Sequence, residues 1–355
     1  MWKATGEIVA RIMVVTSHPP LASGGHLVIA EALTRALRDA GHQSGLLCTP
    51  QNRFGRQGSA YVANWLTDVG RSHDGRSIDQ VISLRFPSYA VRHNAHVCWL
   101  NHRMREYYDQ WPVFSASLSA RAHVKEAVRR RLLHFVDGYL LKSNVSKVFA
   151  QSRTIQKRLK SMGSIPSTVV YPPPPQRPYR CDGYGGSILV ISRLTPLKRV
   201  NLVIDALAQP AAAGVRCVIV GDGECAQSLR EQVTHYGIED RVHFRGAVGD
   251  SELLDELARC RAVCYPAYQE DYGLVTAEAF AAGKSVITCN DSGGPAELVV
   301  DGQSGIVTEP ERNSLSQAFA ILSEDAALAE RMGVTARQQI AAISWEDTLE
   351  RLLLV

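Results

Sequence analysis

The chain has 355 residues, of which 45% are hydrophobic and 21% are charged. This balance is typical of a soluble globular protein and excludes an intrinsically disordered chain, which has too little apolar surface to offset its ordering entropy. No window approaches the roughly 18 consecutive apolar residues of a membrane-spanning helix, and residues 1–7 lack the layout of a secretory signal, so we expect a cytoplasmic protein. At roughly 100–200 residues per domain, the length predicts two domains.

Charge divides the sequence into two unlike halves. Residues 1–180 contain 25 Lys and Arg against 10 Asp and Glu, a net charge of +15, whereas residues 181–355 contain 14 against 25, a net charge of −11. The basic half favours an anionic partner, such as a membrane surface or a phosphorylated acceptor, although opposite charges would also help two lobes to face each other. The basic residues are scattered and no stacking motif accompanies them, so we expect no nucleic-acid partner.

The first half of the chain opens with a strand, a glycine turn, a helix and a second strand. Residues 12–16 and 45–48 are apolar runs, and apolar residues at helical spacing lie between them, from Val28 to Leu37. This order is a βαβ unit and predicts a parallel sheet. Further strands are predicted at 81–84, 97–100, 147–150 and 167–170, with a long helix from about Ser119 to Val136.

Five prolines within residues 172–178 mark the clearest linker in the chain, because proline fits neither a helix interior nor a sheet interior. The same alternation of strands and helices restarts after it. Strands are predicted at 187–191, 217–220, 242–244, 262–265 and 285–288, with helices at 200–208 and 345–354. We therefore predict an α/β protein with two Rossmann-like, doubly wound parallel-sheet domains facing a central cleft. The predicted bounds are 1–172 and 173–340, and a C-terminal helix within 341–355 is expected to pack back toward the first domain.

The eight cysteines form no Cys-x-x-Cys motif, and the pair Cys260 and Cys264 has no nearby histidine to complete a zinc site. We interpret the cysteines as small core residues in a reducing compartment, and we expect neither a metal nor another cofactor.

Two loops that follow predicted strands carry groups suited to phosphate. Gly24 and Gly25 stand before a helix, where backbone N–H groups can approach anionic oxygens, although such a pair is often only a turn. Arg193 and Lys198 follow the first strand of the second half, where two cations suit a diphosphate and an ordinary solvated loop is the alternative.

Residues 265–287 form the most informative stretch. Glu270 lies in a loop, Gly273 leads into a helix, and Glu278 follows within the first helical turns. Both carboxylates can face one cleft and accept hydrogen bonds from a vicinal diol such as a ribose. Gly293 and Gly294 form another glycine turn into a helix and predict a second set of N–H donors.

Taken in order, these motifs resemble those of family 4 glycosyltransferases, which are retaining enzymes with the two-lobed GT-B fold. The resemblance rests on Gly24-Gly25, Arg193 with Lys198, the run 221–224, the Glu270-x7-Glu278 pair, and Gly293-Gly294 with Glu297. It implies that Arg193 and Lys198 bind the donor diphosphate, that Glu278 holds the ribose hydroxyls, and that Glu270 contacts the donor sugar. It also implies donor contacts from Gly24, Gly25, Gly221, Gly273 and Leu274, and transfer without a metal.

The segment after the predicted strand 97–100 resembles the place where many family members carry an active-site histidine. Matching on the following arginine and Tyr-Asp assigns that role to His102, whereas a register one residue longer assigns it to Asn101. A histidine that only binds backbone at a helix start is the alternative. Asn101, Arg105 and Tyr108 are expected on the acceptor side, with Arg105 structural or phosphate-facing and Tyr108 in the core or the wall of the acceptor groove.

The resemblance implies a hexosyltransferase that uses a nucleoside-diphosphate sugar and a saccharide or lipid-linked acceptor, in bacterial-type glycan or glycolipid synthesis. A nucleotide-sugar epimerase of similar fold, which would need no acceptor, is one alternative, and a non-catalytic sugar-nucleotide-binding protein is another. Lys125 and the run 129–131 stand on the predicted long helix together with apolar residues, so peripheral contact with an anionic membrane is a further expectation.

Overall fold

The computed structural model describes residues 10–19, 24–51 and 55–354. The chain forms two compact units: Met1–Pro172 with Trp345–Val355, and Pro173–Ser344. The boundary between them falls within the proline-rich segment.

The first unit is built on a six-stranded parallel sheet in the order β2-β1-β3-β4-β5-β6. Its strands are β1 Arg11–His18, β2 Gln43–Pro50, β3 Gln80–Ser83, β4 His96–Leu100, β5 Lys147–Ala150 and β6 Thr168–Val169. Its helices are α1 Gly25–Asp39, α2 Gln57–Leu66, α3 Trp111–Ala116, α4 Ala120–Tyr139, α5 Arg153–Ser161 and the C-terminal α13 Trp345–Leu352. A π-helical turn, Leu140–Asn144, continues α4.

The C-terminal helix packs within the first unit. The Gln80 side chain donates to the Leu352 carbonyl at 2.7 Å and accepts from the Leu354 N–H at 2.9 Å. Trp345 meets the fully buried Trp99 edge to face at 6.3 Å. The helix begins at Trp345, and the helix before it, which ends at Ala341, belongs to the second unit.

The second unit has a six-stranded parallel sheet in the order β12-β11-β10-β7-β8-β9. Its strands are β7 Ser187–Ile191, β8 Arg216–Val220, β9 Val242–Gly246, β10 Ala262–Cys264, β11 Val286–Cys289 and β12 Gly305–Thr308. Its helices are α6 Val200–Leu207, α7 Ala226–Tyr236, α8 Asp250–Arg259, α9 Leu274–Ala281, α10 Gly294–Leu298, α11 Arg312–Glu324 and α12 Ala326–Ala341.

Inner strands of both sheets, such as β4 and β11, are buried at every residue, as expected for parallel strands that are covered on both faces. This burial explains the apolar runs seen in the sequence. The predicted fold class, two Rossmann-like parallel-sheet domains, is confirmed. Strand β12 escaped the sequence prediction, and so did helix α2. All eight cysteines are free thiols; five of them are buried as predicted, while Cys48 is exposed. No helix in the described part of the chain is both long and apolar enough to cross a membrane.

Candidate functional site

The order of strands in the second unit predicts where a ligand binds. Strand β7 lies at the centre, β8 and β9 extend to one side, and β10 to β12 extend to the other. In such doubly wound sheets ligands bind outside the carboxyl ends of the strands at which the direction reverses. The loops after β7 and β10 therefore flank the expected position, and they carry Arg193, Lys198 and Glu270.

The loop after β7 is held by the loop after β8. The Leu194 N–H donates to the Asp222 carbonyl at 3.0 Å, and the Cys225 N–H donates to the Leu194 carbonyl at 3.0 Å. A Cβ on Gly221 would lie 1.8 Å from the Ser192 carbonyl oxygen, and the φ of Gly221 is +128°. Gly221 therefore shapes the turn that carries Arg193.

Arg193 and Lys198 differ in what they contact. The Arg193 side chain is exposed and has no ion-pair or hydrogen-bond partner among the described residues. Lys198 lies in a short 3-10 turn and donates at 2.7 Å both to Glu270 Oε2 and to the Tyr265 hydroxyl. Burial alone would lower the pKa of Lys198, but Tyr265 and Glu270 raise it above its usual range, so the ammonium stays charged. The structure thus joins two residues that the sequence analysis had singled out in separate motifs.

The loop that carries Glu270 is fixed by close backbone packing. Glu270 pairs with Gly293 in a parallel bridge, and a Cβ on Gly293 would lie 2.5 Å from the Glu270 carbonyl oxygen. The Gly294 N–H donates to that same carbonyl at 3.0 Å. The Gly294 donor is occupied and Pro295 has none, so neither residue adds to the second set of N–H donors that the sequence predicts at this turn. The two glycines position Glu270 instead.

An ion pair absent from the sequence predictions holds the same loops. Arg199 donates to both carboxylate oxygens of Asp291, at 2.8 and 2.7 Å, and its guanidinium lies 4.6 Å from the Tyr268 ring centre. A bidentate arrangement of this kind fixes direction as well as distance. Arg199 follows Lys198 directly, so the pair restrains the backbone from which Lys198 extends.

Glu278 lies in the second turn of α9 and is buried. Its Oε1 accepts from Arg177 Nη1 at 2.7 Å and from the Tyr179 hydroxyl at 3.1 Å. Burial raises the pKa of Glu278, although Arg177 opposes this shift. Oε2 receives no hydrogen bond from the described residues, so one oxygen of the carboxylate is held and the other is available to a ligand. Sequence reasoning missed Arg177, which lies in the proline-rich segment, and Tyr179, which follows it.

Gly273 and Leu274 form the start of α9. Gly273 has a φ of +78° and precedes the helix without a side-chain cap, and a Cβ there would lie 2.5 Å from Pro295 Cγ. Leu274 is the first helical residue, so its N–H is one of the donors left open at a helix start.

In the first unit the reversal of strand order lies between β1 and β3. Gly24 and Gly25 stand at the start of α1, after residues 20–23, which lie outside the described part of the chain. Gly24 has a φ of 168°, an extended conformation open to any residue, and gives α1 no side-chain cap.

His102 and Asn101 directly follow β4. Burial, with the guanidinium of Arg85 second, lowers the pKa of His102 to about 3, so the imidazole is neutral. Its Nδ1 lies 2.7 Å from the Arg103 carbonyl, an arrangement that makes Nδ1 the donor and leaves Nε2 as acceptor. Asn101 donates to Gln151 Oε1 at 3.1 Å.

The two other residues assigned to the acceptor side are held inside the first unit. Arg105 donates twice to Asp109 Oδ2, at 2.9 and 2.7 Å, which places it in a structural ion pair. Tyr108 is 3% exposed, stacks on His134, and donates to Asp137 Oδ2 at 2.6 Å. We therefore interpret Tyr108 as a core residue and no longer as a wall of an acceptor groove.

Within residues 10–19, 24–51 and 55–354 no group of three or more His, Cys, Asp or Glu side chains has the arrangement of a metal site.

The fold is that of GT-B glycosyltransferases. Anabaena HepE in complex with UDP-glucose superposes with a TM-score of 0.70 over 96% of this chain and 98% of that chain, at 18% sequence identity. Residues 185–339, most of the second unit, match the family model described as glycosyl transferases group 1.

Two curated relatives match parts of the chain. An exopolysaccharide phosphotransferase of Streptomyces coelicolor is 29% identical over 211 residues, which are 56% of this chain and 22% of that protein. A glycogen synthase of Mycobacterium tuberculosis is 32% identical over 163 residues, which are 45% of this chain and 39% of that protein. The matches thus span well under half the length of these relatives.

Proposed function

We propose that this chain is a retaining hexosyltransferase that takes its sugar from a nucleoside-diphosphate donor, requires no metal, and transfers to a hydroxyl of a saccharide or lipid-linked acceptor. The observation that carries the proposal is the cluster outside β7 and β10. There the exposed Arg193 guanidinium, the Lys198–Glu270 pair and the half-occupied Glu278 carboxylate follow the strands that flank the reversal of the sheet. Cations and diol-binding carboxylates at that place suit a sugar nucleotide.

Arg193 and Lys198 act on the diphosphate in this proposal. During transfer the bond from the anomeric carbon to the phosphate oxygen breaks, a bond to the acceptor oxygen forms on the same face, and the acceptor proton passes to the leaving phosphate. Negative charge grows on the diphosphate as that bond breaks. A cation that is already fixed, as Lys198 is by Tyr265 and Glu270, stabilises that charge without reorganising.

Glu270 and Glu278 bind hydroxyl groups of the donor in this proposal. Glu270 keeps its second carboxylate oxygen for a hydroxyl of the donor sugar, because only Oε2 binds Lys198. Glu278 offers Oε2 to the ribose diol while Arg177 keeps Oε1 in place. In the first unit the neutral His102 imidazole supplies a hydrogen-bond acceptor for a sugar hydroxyl, with Asn101 beside it.

The comparisons support a transferase over the alternatives. HepE is described in complex with UDP-glucose, and the Mycobacterium relative is a glycogen synthase. The Streptomyces relative is a phosphotransferase, but the match covers 22% of its length. An epimerase would convert a UDP-sugar without an acceptor, and a binding protein would not turn it over. Incubation of the chain with UDP-sugars and product analysis separates these three functions.

Nucleotide binding tests the proposal directly. A thermal-shift screen of nucleoside diphosphates identifies the base, since a ligand at 100 times its Kd adds about 2.7 kcal/mol of stability. Calorimetric titration with the ribose and the 2′-deoxy form then tests Glu278. The wild type should discriminate strongly against the deoxy form, because the missing hydroxyl leaves a buried carboxylate oxygen without a partner.

The Glu278→Ala variant should bind the ribonucleotide more weakly and lose most of that discrimination. Glu324→Ala, which removes an exposed carboxylate on α11, is the matched control and should behave as the wild type. An unchanged ribose preference in Glu278→Ala would refute the ribose assignment, and the absence of any stabilising nucleotide would refute the proposed function.

A further inference from the structure

Helix α4 turns its acidic residues inward. The 20-residue helix contains two carboxylates, Glu126 and Asp137, and both are buried. Glu126 accepts from the Tyr107 hydroxyl at 2.8 Å and from Arg129 at 2.6 Å. Asp137 accepts from three tyrosine hydroxyls, those of Tyr61, Tyr89 and Tyr108. Polar contacts therefore anchor this helix to the first unit.

The outward side of α4 carries large apolar side chains. Five large side chains that are between 56% and 73% exposed follow one another along it: Val124, Val128, Leu132, Phe135 and Tyr139. A surface helix normally shows polar side chains to water and apolar ones to the core. This helix instead buries both of its carboxylates and exposes five large apolar side chains, which indicates a surface that meets something other than water.

Cations share that side. Four exposed basic side chains stand among the apolar ones: Arg121, Lys125, Arg131 and, in the following π-helical turn, Lys142. At 3.6 residues per turn, the apolar and basic side chains just named that belong to α4, from Arg121 to Tyr139, fall within an arc of about 120°. We name this set of nine residues the α4 face. It carries no acidic residue, since both carboxylates of the helix are on the buried side.

A groove adjoins the C-terminal end of the α4 face. It has a volume of about 740 Å³, and Arg130, His134 and Lys142 line it together with Phe135 and Tyr139. Cations beside aromatic side chains suit an anionic headgroup whose acyl chains continue along the apolar residues.

We propose that the α4 face docks the first unit on an anionic lipid bilayer. The aliphatic and aromatic side chains enter the boundary of the acyl chains, and the four cations lie at the level of the phosphates. Charge favours this occupant over a second copy of the chain, because two α4 faces placed together would oppose eight cations with no carboxylate between them. The inference does not depend on the proposed enzymatic function.

Vesicle sedimentation tests the proposal with the full chain. Wild-type protein should sediment with vesicles of 70% phosphatidylcholine and 30% phosphatidylglycerol, bind pure phosphatidylcholine at least tenfold more weakly, and dissociate as salt is raised. The double variant Leu132→Ser/Phe135→Ser removes apolar groups, and Lys125→Glu/Arg131→Glu reverses two charges. Each should lower the partition coefficient at least tenfold. All four side chains are exposed, so both variants should keep the circular dichroism and melting temperature of the wild type.

Matched controls lie in the second unit. Ile321→Ser, at a side chain that is 48% exposed, and Arg331→Glu, at an exposed cation of α12, should bind vesicles as the wild type does. Equal binding by the α4 variants and the wild type would overturn the proposal. Failure of the wild-type protein to bind anionic vesicles would also overturn it. This holds whether light scattering finds the protein monomeric or finds dimers that the α4 variants abolish.

Discussion

The Lys198→Met variant tests whether Lys198 only forms a structural ion pair with Glu270 or also acts on the donor. Methionine keeps much of the apolar stem of lysine but removes the charge, which leaves Glu270 and the Tyr265 hydroxyl without their shared donor. Removing one member of a buried ion pair costs about 3–5 kcal/mol. The two side chains are 18% and 21% exposed, so solvent screens the pair and we expect a loss of stability of about 1–3 kcal/mol.

The effect on turnover should be larger and of a different origin. Loss of one fixed charge at a developing anion lowers the rate by about 10²–10³, which corresponds to about 2.7–4 kcal/mol of barrier. Lys198 could affect turnover by neutralising Glu270 or by acting on the diphosphate. The Glu270→Gln background distinguishes these two explanations, because it removes the carboxylate that Lys198 would neutralise. If Lys198 acts on the diphosphate, adding Lys198→Met to Glu270→Gln should lower turnover by at least about 10² again.

The assay is release of nucleoside diphosphate from the sugar nucleotide that stabilises the wild type most, with urea unfolding measured in parallel. Lys198→Arg serves as the conservative control and should retain more activity than Lys198→Met, because it keeps a cation at this place. Equal turnover of Glu270→Gln and the double variant would refute the argument, since Lys198 would then serve Glu270 alone.

Three further outcomes are expected. Asp137→Leu leaves three buried tyrosine hydroxyls without an acceptor, which costs about 1–3 kcal/mol for each hydroxyl. Urea unfolding should therefore show a loss of at least about 3 kcal/mol in the free energy of unfolding. A loss under about 1 kcal/mol would contradict these contacts. Burial lowers the pKa of His96 to about 4, below its usual value of about 6.5. The unfolded chain therefore binds this proton first, and the stabilisation present above pH 6.5 is lost as the pH falls toward 4. Between pH 7 and pH 5 the wild type should lose about 2 kcal/mol more than His96→Gln, and parallel pH profiles would exclude this role. Transfer should persist in excess chelator, and strict dependence on added Mg²⁺ or Mn²⁺ would contradict the proposed mechanism.

Most strands and several helices could be predicted because their signals are local. Buried parallel strands such as β7 are continuous apolar runs. Where the helical spacing of α4 begins, the Ser119 side chain caps the helix by accepting a hydrogen bond from the Ala122 N–H. Strand β12 lacks such a signal. It starts at Gly305, where a Cβ would lie 2.0 Å from the Val286 carbonyl oxygen, and it is recognisable only once β11 is beside it.

Sequence analysis singles out the residues of the candidate site one by one, but it does not predict their arrangement. Lys198 and Glu270 meet because β7 and β10 are neighbours in the sheet, although β8 and β9 separate them in the chain. No spacing in the sequence expresses that adjacency. The partners of Glu278 were missed for a related reason: the prolines around Arg177 and Tyr179 predicted a linker, and a linker gave no reason to assign side-chain contacts.

The surroundings of Glu278 explain how one buried carboxylate can serve both the fold and a ligand. Burial disfavours its charged form, and Arg177 offsets part of that penalty through Oε1. Arg177 also binds Asp250 at 3.1 Å, so the guanidinium is held from two sides and cannot swing over to Oε2 without giving up a partner. Tyr179 takes a further position on Oε1. Among the described residues all hydrogen bonds to this carboxylate thus fall on Oε1, and Oε2 is held in a fixed direction without a protein donor. A diol hydroxyl that reaches Oε2 meets an acceptor that is already in place. A site built in this way loses that hydrogen bond with the deoxy form, which is why we expect it to discriminate between ribose and deoxyribose.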